Sequence, residues 1–221
     1  MAEDGGSSVL EQPEITTIET SRLQLKTLQM SDLDAVMPII SSKEVMQFTT
    51  QGPVANRQQA ERWLSARALG PDVFNFAIRQ RSGDLAGTEI IGILGSFHWP
   101  EIGYLIHQDH AGRGYATEAL QALIPAYFKR VPSPIDGGPG FDHVDGYTLA
   151  DNIASQRILQ KCGFTLVERR PVDFDGNPGM MASQELTIFR LARPGKTLDR
   201  YGQAVDVGTE EHDAPLKLPI Q

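Results

Sequence analysis

The residues best placed for chemistry are two glycines set between two regular elements. Gln108-Asp109-His110-Ala111-Gly112-Arg113-Gly114 follows an extended apolar run and leads into Tyr115, Ala116 and Thr117, where apolar residues begin to recur at helical spacing. A helix N-terminus carries unpaired backbone N–H groups and the positive end of the helix dipole, so it attracts anions such as a pyrophosphate. Gly112 and Gly114 have no Cβ, which lets the backbone turn sharply and approach phosphate oxygens. Arg113 could add charge and Thr117 a hydroxyl in the first helical turn. The same glycines would serve equally well as a plain strand-to-helix corner. A nicotinamide site fits poorly. Thr117 stands where that fingerprint needs its third glycine, and Asp136 lies in a Pro/Gly loop, away from the end of a second parallel strand.

The elements that must position this loop can be read from periodicity. Alternation predicts a strand over 22–29, and further strands are read over 74–80, 90–99, 101–108, 143–150, 165–170 and 185–192. Helical spacing predicts helices from Ser31 or Asp32 to Ile40, over 56–69, over 115–130, and from a cap at Asp151 or Asn152 to Cys162. Pro125 should kink the third of these or end it early. Gly163 is placed for a helix C-cap, with Phe164 as its apolar contact. Strands and helices alternate without strict βαβ regularity, which predicts an α/β fold with a mixed sheet and helices on both faces. Residues 1–17 read as a disordered leader, 18–193 as one domain, and 194–221 as a polar, mobile tail.

Bulk composition narrows the function classes. The 221 residues are 40% hydrophobic and 22% charged, as in an ordinary globular protein. A formal net charge of -8 argues against general nucleic-acid binding and is compatible with an amine-bearing partner. No apolar run reaches the roughly 18 residues a membrane span needs. The acidic, polar N-terminus lacks the parts of a secretory signal, so a cytoplasmic address is expected, with the nucleus open by diffusion. Cys162 is the sole cysteine, which excludes an internal disulfide. It lies on an apolar helix face, where packing is the expected role. His98, His107 and His110 flank the loop without metal-ligand spacing to acids, and no metal is expected.

Together, IGYLI, AGRGYATEAL and LADNIASQRILQKCGF resemble the GNAT superfamily of N-acetyltransferases, most closely its ribosomal-protein N-terminal acetyltransferase branch; ETSRLQLKTLQMSDLD resembles that branch's opening strand and helix. The resemblance spans roughly Thr20 to Leu191. It implies a mixed, mostly antiparallel, twisted sheet of about 6–7 strands whose middle splays to admit the pantetheine arm of acetyl-CoA. It also implies an amine acceptor as the second substrate and a monomer or homodimer. Tyr104, Leu105, Ile106 and His107 would then offer groups to the arm and the thioester. Gly112, Arg113, Gly114, Tyr115, Ala116 and Thr117 would hold the pyrophosphate, and Asn152 and Ser155 would line the cofactor. Ala111 stands where the family's loop often begins with Gln or Arg.

In this family the amine attacks the thioester directly. The enzyme positions both partners, accepts a proton, stabilises an oxyanion and releases a thiolate. The resemblance makes Glu101 the base candidate; the alternative is an exposed carboxylate at a strand end. Leu159 occupies the place of the family's usual tyrosine acid, which leaves Ser155 as the candidate donor to the leaving sulfur. The alternative is a helix serine bonded back to the previous turn. Trp99, beside Glu101, could line the acceptor pocket, whereas Trp63 reads as core. A rival reading from another class is a non-catalytic acyl-CoA-binding module on the same fold.

Overall fold

The computed structural model describes residues 13–81, 89–134, 140–172, 185–200 and 202–207. Residues 1–12 of the expected leader, most of the polar turn after Arg81, Asp136 and the tail beyond Val207 lie outside the described residues.

Alternation is a good guide to the first expected strand because one-sided burial selects a period of two. In β2 (Leu23–Thr27) Leu23, Leu25 and Thr27 are buried while Gln24 and Lys26 are only half-buried. β3 (Phe74–Gln80), β4 (Ile90–His98), β5 (Glu101–Ile106), β6 (His143–Leu149), β7 (Thr165–Pro171) and β8 (Glu185–Ala192) complete the strands expected from sequence. A short strand not expected, β1 (Thr17–Glu19), pairs antiparallel with β2. The sheet therefore has eight strands in the order β1-β2-β3-β4-β5-β6-β8-β7, against the six or seven expected. Its ladders are antiparallel except that between β5 and β6.

Helices cover both faces. α1 (Leu33–Ile40) and α3 (Arg57–Ala68) pack Val36, Ile39, Trp63 and Leu64 over Ala77, Ile90 and Ile93. Between them lies a single turn absent from the sequence reading, α2 (Lys43–Met46). On the other face α4 (Tyr115–Arg130) sets Ala119, Leu120, Leu123 and Tyr127 against Leu23, Leu25, Phe76 and Ile78. α5 (Ile153–Lys161) adds Leu159 to the same cluster. The Phe164 amide donates to the Leu159 carbonyl at 3.1 Å, which completes the expected cap at Gly163.

Two expectations need correction. Pro125 neither ends nor halves α4, which runs unbroken to Arg130. Pro125 and Gln121, one turn before it, are both exposed, so the carbonyl that loses its bond faces water. The stretch after Pro194, expected as a tail, carries regular structure: β9 (Lys196–Leu198) pairs with β10 (Ala204–Asp206) as a two-stranded ribbon.

Candidate active site

The parallel strands β5 and β6 meet at one rung, Glu101 opposite Asp145. The Asp145 amide donates to the Pro100 carbonyl at 3.0 Å. Past that rung the strands part, and a cleft of about 720 Å³ opens. The rung is braced from behind. Asp145 is 1% exposed, and Arg190 on β8 donates to both its carboxylate oxygens at 2.7 Å. A third Arg190 bond reaches the Gly202 carbonyl at 2.9 Å, so the C-terminal ribbon is tied to the same brace. Removing one partner from such a buried pair would strand the other charge.

One mouth of the cleft is the glycine loop. Gly112 and Gly114 have φ of 73° and 80°, left-handed values that side chains disfavour. Gly114 is the N-cap of α4, and no side chain caps that helix end. A Cβ on Gly112 would meet nothing within 4 Å, so the space before the first-turn amides of Tyr115, Ala116 and Thr117 is open. Gly112, Gly114 and these three residues all line the cleft. Glu118 also lies in the first turn, where an acid could compete with a bound anion, but it is turned aside. It accepts from the Thr20 hydroxyl at 2.6 Å, the Ser21 hydroxyl at 3.1 Å, the Arg22 amide at 3.0 Å and Arg22 Nε at 2.6 Å. Burial works to raise its pKa, but these donors together hold it below the usual carboxylate value.

The far wall is β6 and α5. Gly146 approaches α5 so closely that a Cβ would lie 2.5 Å from Leu159 Cδ2. Asn152 caps α5, accepting from the Ser155 amide at 3.1 Å. Tyr104 reaches across from β5: its hydroxyl lies 2.8 Å from Ser155 Oγ and 3.1 Å from the Ser155 carbonyl. Burial pushes the Tyr104 phenol well above its usual range. Thr148 Oγ1 is buried in the cleft wall with no hydrogen-bond partner, a polar atom left for a ligand.

The expected residues do not all converge. Tyr104, Leu105, Ile106, Asn152 and Ser155 line the cleft with the loop residues. His107 does not: its amide donates to the Ile91 carbonyl at 2.8 Å, and its ring accepts from the Asp109 amide at 3.3 Å. Arg113 is exposed, and the arginine beside Gly114 is Arg22, whose Nη1 donates to the Arg113 carbonyl at 3.0 Å. Glu101 sits on the rung itself, with the cleft lining beginning at Ile102. Burial raises the Glu101 pKa above its usual value; His98 opposes this and Asp145 adds to it.

The other mouth faces α2 and α3. Phe48, Trp63, Arg67, Asn75, Gly95 and Tyr147 line it. The Arg67 guanidinium lies 3.9 Å over the Trp63 ring, and burial pulls it down to about 10. Gly95, with φ of 150°, opens the bulge that interrupts the β4–β5 register; a Cβ there would lie 2.2 Å from the Phe74 carbonyl oxygen. Trp99 instead packs against the α4-side core. Cys162 donates to the Thr117 carbonyl at 3.6 Å, and burial pushes its thiol to about 11, a packing role.

Sequence reasoning missed the Tyr104–Ser155 contact, which joins residues far apart in the chain. It also missed Arg157 and Lys161, cleft-lining cations one helical turn apart on α5. Their i, i+4 spacing was the available signal.

A family model described as an acetyltransferase (GNAT) domain matches residues 22–165. An uncharacterized N-acetyltransferase of Bacillus licheniformis is 30% identical over 158 residues, covering 67% of this chain and 82% of that protein. The FsC-acetyl coenzyme A-N(2)-transacetylase of Aspergillus fumigatus is 23% identical over 203 residues, 84% of this chain and 83% of that protein. Among solved structures, the ribosomal alpha-N-protein acetyltransferase RimL in complex with coenzyme A is similar, with a TM-score of 0.62 at 17% identity. That match covers 80% of this chain and 98% of RimL.

Proposed function

We propose that this chain, which belongs to the GNAT acetyltransferase family, moves the acetyl group of acetyl-CoA to a primary amine by direct attack. The observation that carries this reading is the parting of β5 and β6 after the Glu101–Asp145 rung, opposite an uncapped helix N-terminus. A slot between strands suits a thin, amide-bearing arm, and open amides suit a pyrophosphate. The residues present fit such a ligand. Thr148 Oγ1 lacks a partner in the wall, and Gly112 leaves its space empty. The relatives named as N-acetyltransferases favour an enzyme over a silent acyl-CoA-binding module.

The chemistry asks the chain for a base, a positioned slot and a donor for the sulfur. As the amine nitrogen attacks the carbonyl carbon, a C–N bond forms and the C–S bond breaks. The nitrogen's proton goes to Glu101, directly or through water. Its raised pKa brings that carboxylate nearer to neutrality, where a base is most effective. The strand-edge amides facing the slot from β5 would steady the carbonyl oxygen. The sulfur leaves with its electron pair and accepts a hydrogen bond from the Ser155 hydroxyl.

The test has two stages. Saturating acetyl-CoA should raise the melting temperature, since a ligand at 100 times its Kd contributes about 2.7 kcal/mol to the native state. Turnover is then measured on N-terminal peptides, lysine and small amines. An unchanged melting temperature with no heat in calorimetry would end the proposal. Tight binding without any acetylated product would leave only the acyl-CoA-binding module.

A further inference from the structure

The geometry points to Tyr104 as a positioning residue for acetyl transfer, whose hydroxyl turns the Ser155 proton toward the departing sulfur. The inference rests on the acetyltransferase reading above.

Ser155 Oγ has Tyr104 as its near neighbour, 2.8 Å away, and the Tyr104 hydroxyl is also 3.1 Å from the Ser155 carbonyl. Two proton arrangements fit these distances. In one, Tyr104 donates to the Ser155 carbonyl while the serine spends its proton on Tyr104. In the other, Tyr104 donates to Ser155 Oγ, and the serine proton is released into the slot. Interchange needs only rotation of two O–H bonds, with no heavy atom displaced. An electron-rich sulfur in the slot favours the second arrangement, because it alone presents a donor. Burial keeps the phenol protonated at neutral pH, so Tyr104 remains a donor and gives up no proton. The proton balance is therefore simple: the amine proton leaves through Glu101, and the thiolate leaves hydrogen-bonded and is protonated by solvent. The position of the family's usual tyrosine offers no phenol, since Leu159 is 1% exposed and packed against Gly146.

The test uses the full chain and Tyr104→Phe, which keeps the ring. Turnover should fall about fivefold, the scale of one hydrogen bond, with acetyl-CoA KM and CoA affinity unchanged. The Ser155→Ala variant and the double variant should be equally slow, because Tyr104 acts through Ser155. A second readout needs no acceptor: the thiol of bound CoA, titrated by its thiolate absorbance, should shift upward by about half a unit in Tyr104→Phe. Full turnover with an unshifted thiol titration would overturn the inference, as would losses that multiply in the double variant. CoA binding without turnover in the unaltered protein would overturn the acetyl-transfer reading alone, leaving the thiol titration to decide Tyr104. No CoA binding would overturn both.

Discussion

The two helices that frame the cleft begin in opposite ways. α4 starts from Gly114, a left-handed residue with no side chain, and its first amides face open space. α5 starts from Asn152, whose side chain satisfies the Ser155 amide, so this helix end is closed. An N-terminus opened by glycine is a weaker helix start by roughly a few tenths of a kcal/mol, tolerable where a ligand supplies the missing acceptors. A closed one holds its first turn rigidly and so can aim a side chain. On the acetyltransferase reading, the α4 end would bind an anion. On the same reading, the α5 end, together with β5, would act on what is bound.

That division can be broken by substitutions that should move only one quantity. The largest effect is expected on the acting side. Glu101→Gln should lower turnover at neutral pH by roughly 10²–10³-fold while leaving acetyl-CoA affinity in place. Because burial raises the Glu101 pKa, the native enzyme should lose activity on acidification at a pH above the ordinary carboxylate range. The base must be deprotonated to work, so activity rises with pH through that value, and this acidic limb should vanish in the variant. An unchanged rate and profile would remove Glu101 from the mechanism.

On the binding side, Gly114→Val should weaken acetyl-CoA about 100-fold, or roughly 2.7 kcal/mol, measured by calorimetry. The folded state should lose less, about 1–2 kcal/mol for a left-handed φ at a β-branched residue. Near-native affinity would show that the uncapped end is a corner and nothing more. Ser155→Ala should cost 10- to 100-fold in turnover, about 1.4–3 kcal/mol, with affinity nearly unchanged. A parallel loss of stability would make Ser155 structural. The smallest effect belongs to Asn152→Ala, which opens the closed end. Losing the cap should lower stability by about 1 kcal/mol, a fall of some 2–4 °C in Tm for a chain this size. Turnover should drop a few-fold as Ser155 loosens. A change in affinity larger than that in turnover would reverse the comparison.

Both helix starts were legible in the sequence, because caps are written in single residues: Gly114 before Tyr115, Asn152 before Ile153, Gly163 after Cys162. Strands β3 and β8 were read to the residue as short apolar runs, and both are buried on two faces through their middle residues. What escaped was short or non-local. β1 spans three residues and α2 four, below the length at which a period can be counted. The β9–β10 ribbon looked like tail because its strands are three residues of mixed polarity, ordered through Arg190 and by the Lys196–Asp206 ion pair at 2.6 Å. That Pro125 does not end α4 was not legible, because local sequence does not say which helix face meets water. The glycine loop was legible as the turn into α4, whereas the phenol that meets Ser155 depends on where β5 and α5 come to lie.

The single rung between β5 and β6 has a further consequence, for solubility. Strand edges with unpaired amides are templates for pairing with other chains, and proteins usually blunt them with charge, proline or bulges. Here the parting of two central strands creates a pair of such edges in the middle of the sheet. α5 lies beside this gap, tied to β5 by the Tyr104–Ser155 contact. Another polypeptide, with side chains alternating on both sides, is too broad to enter. A slender chain of amides and methylenes is not. The fold thus keeps sheet-type hydrogen bonding on offer to a small molecule while withholding it from other proteins.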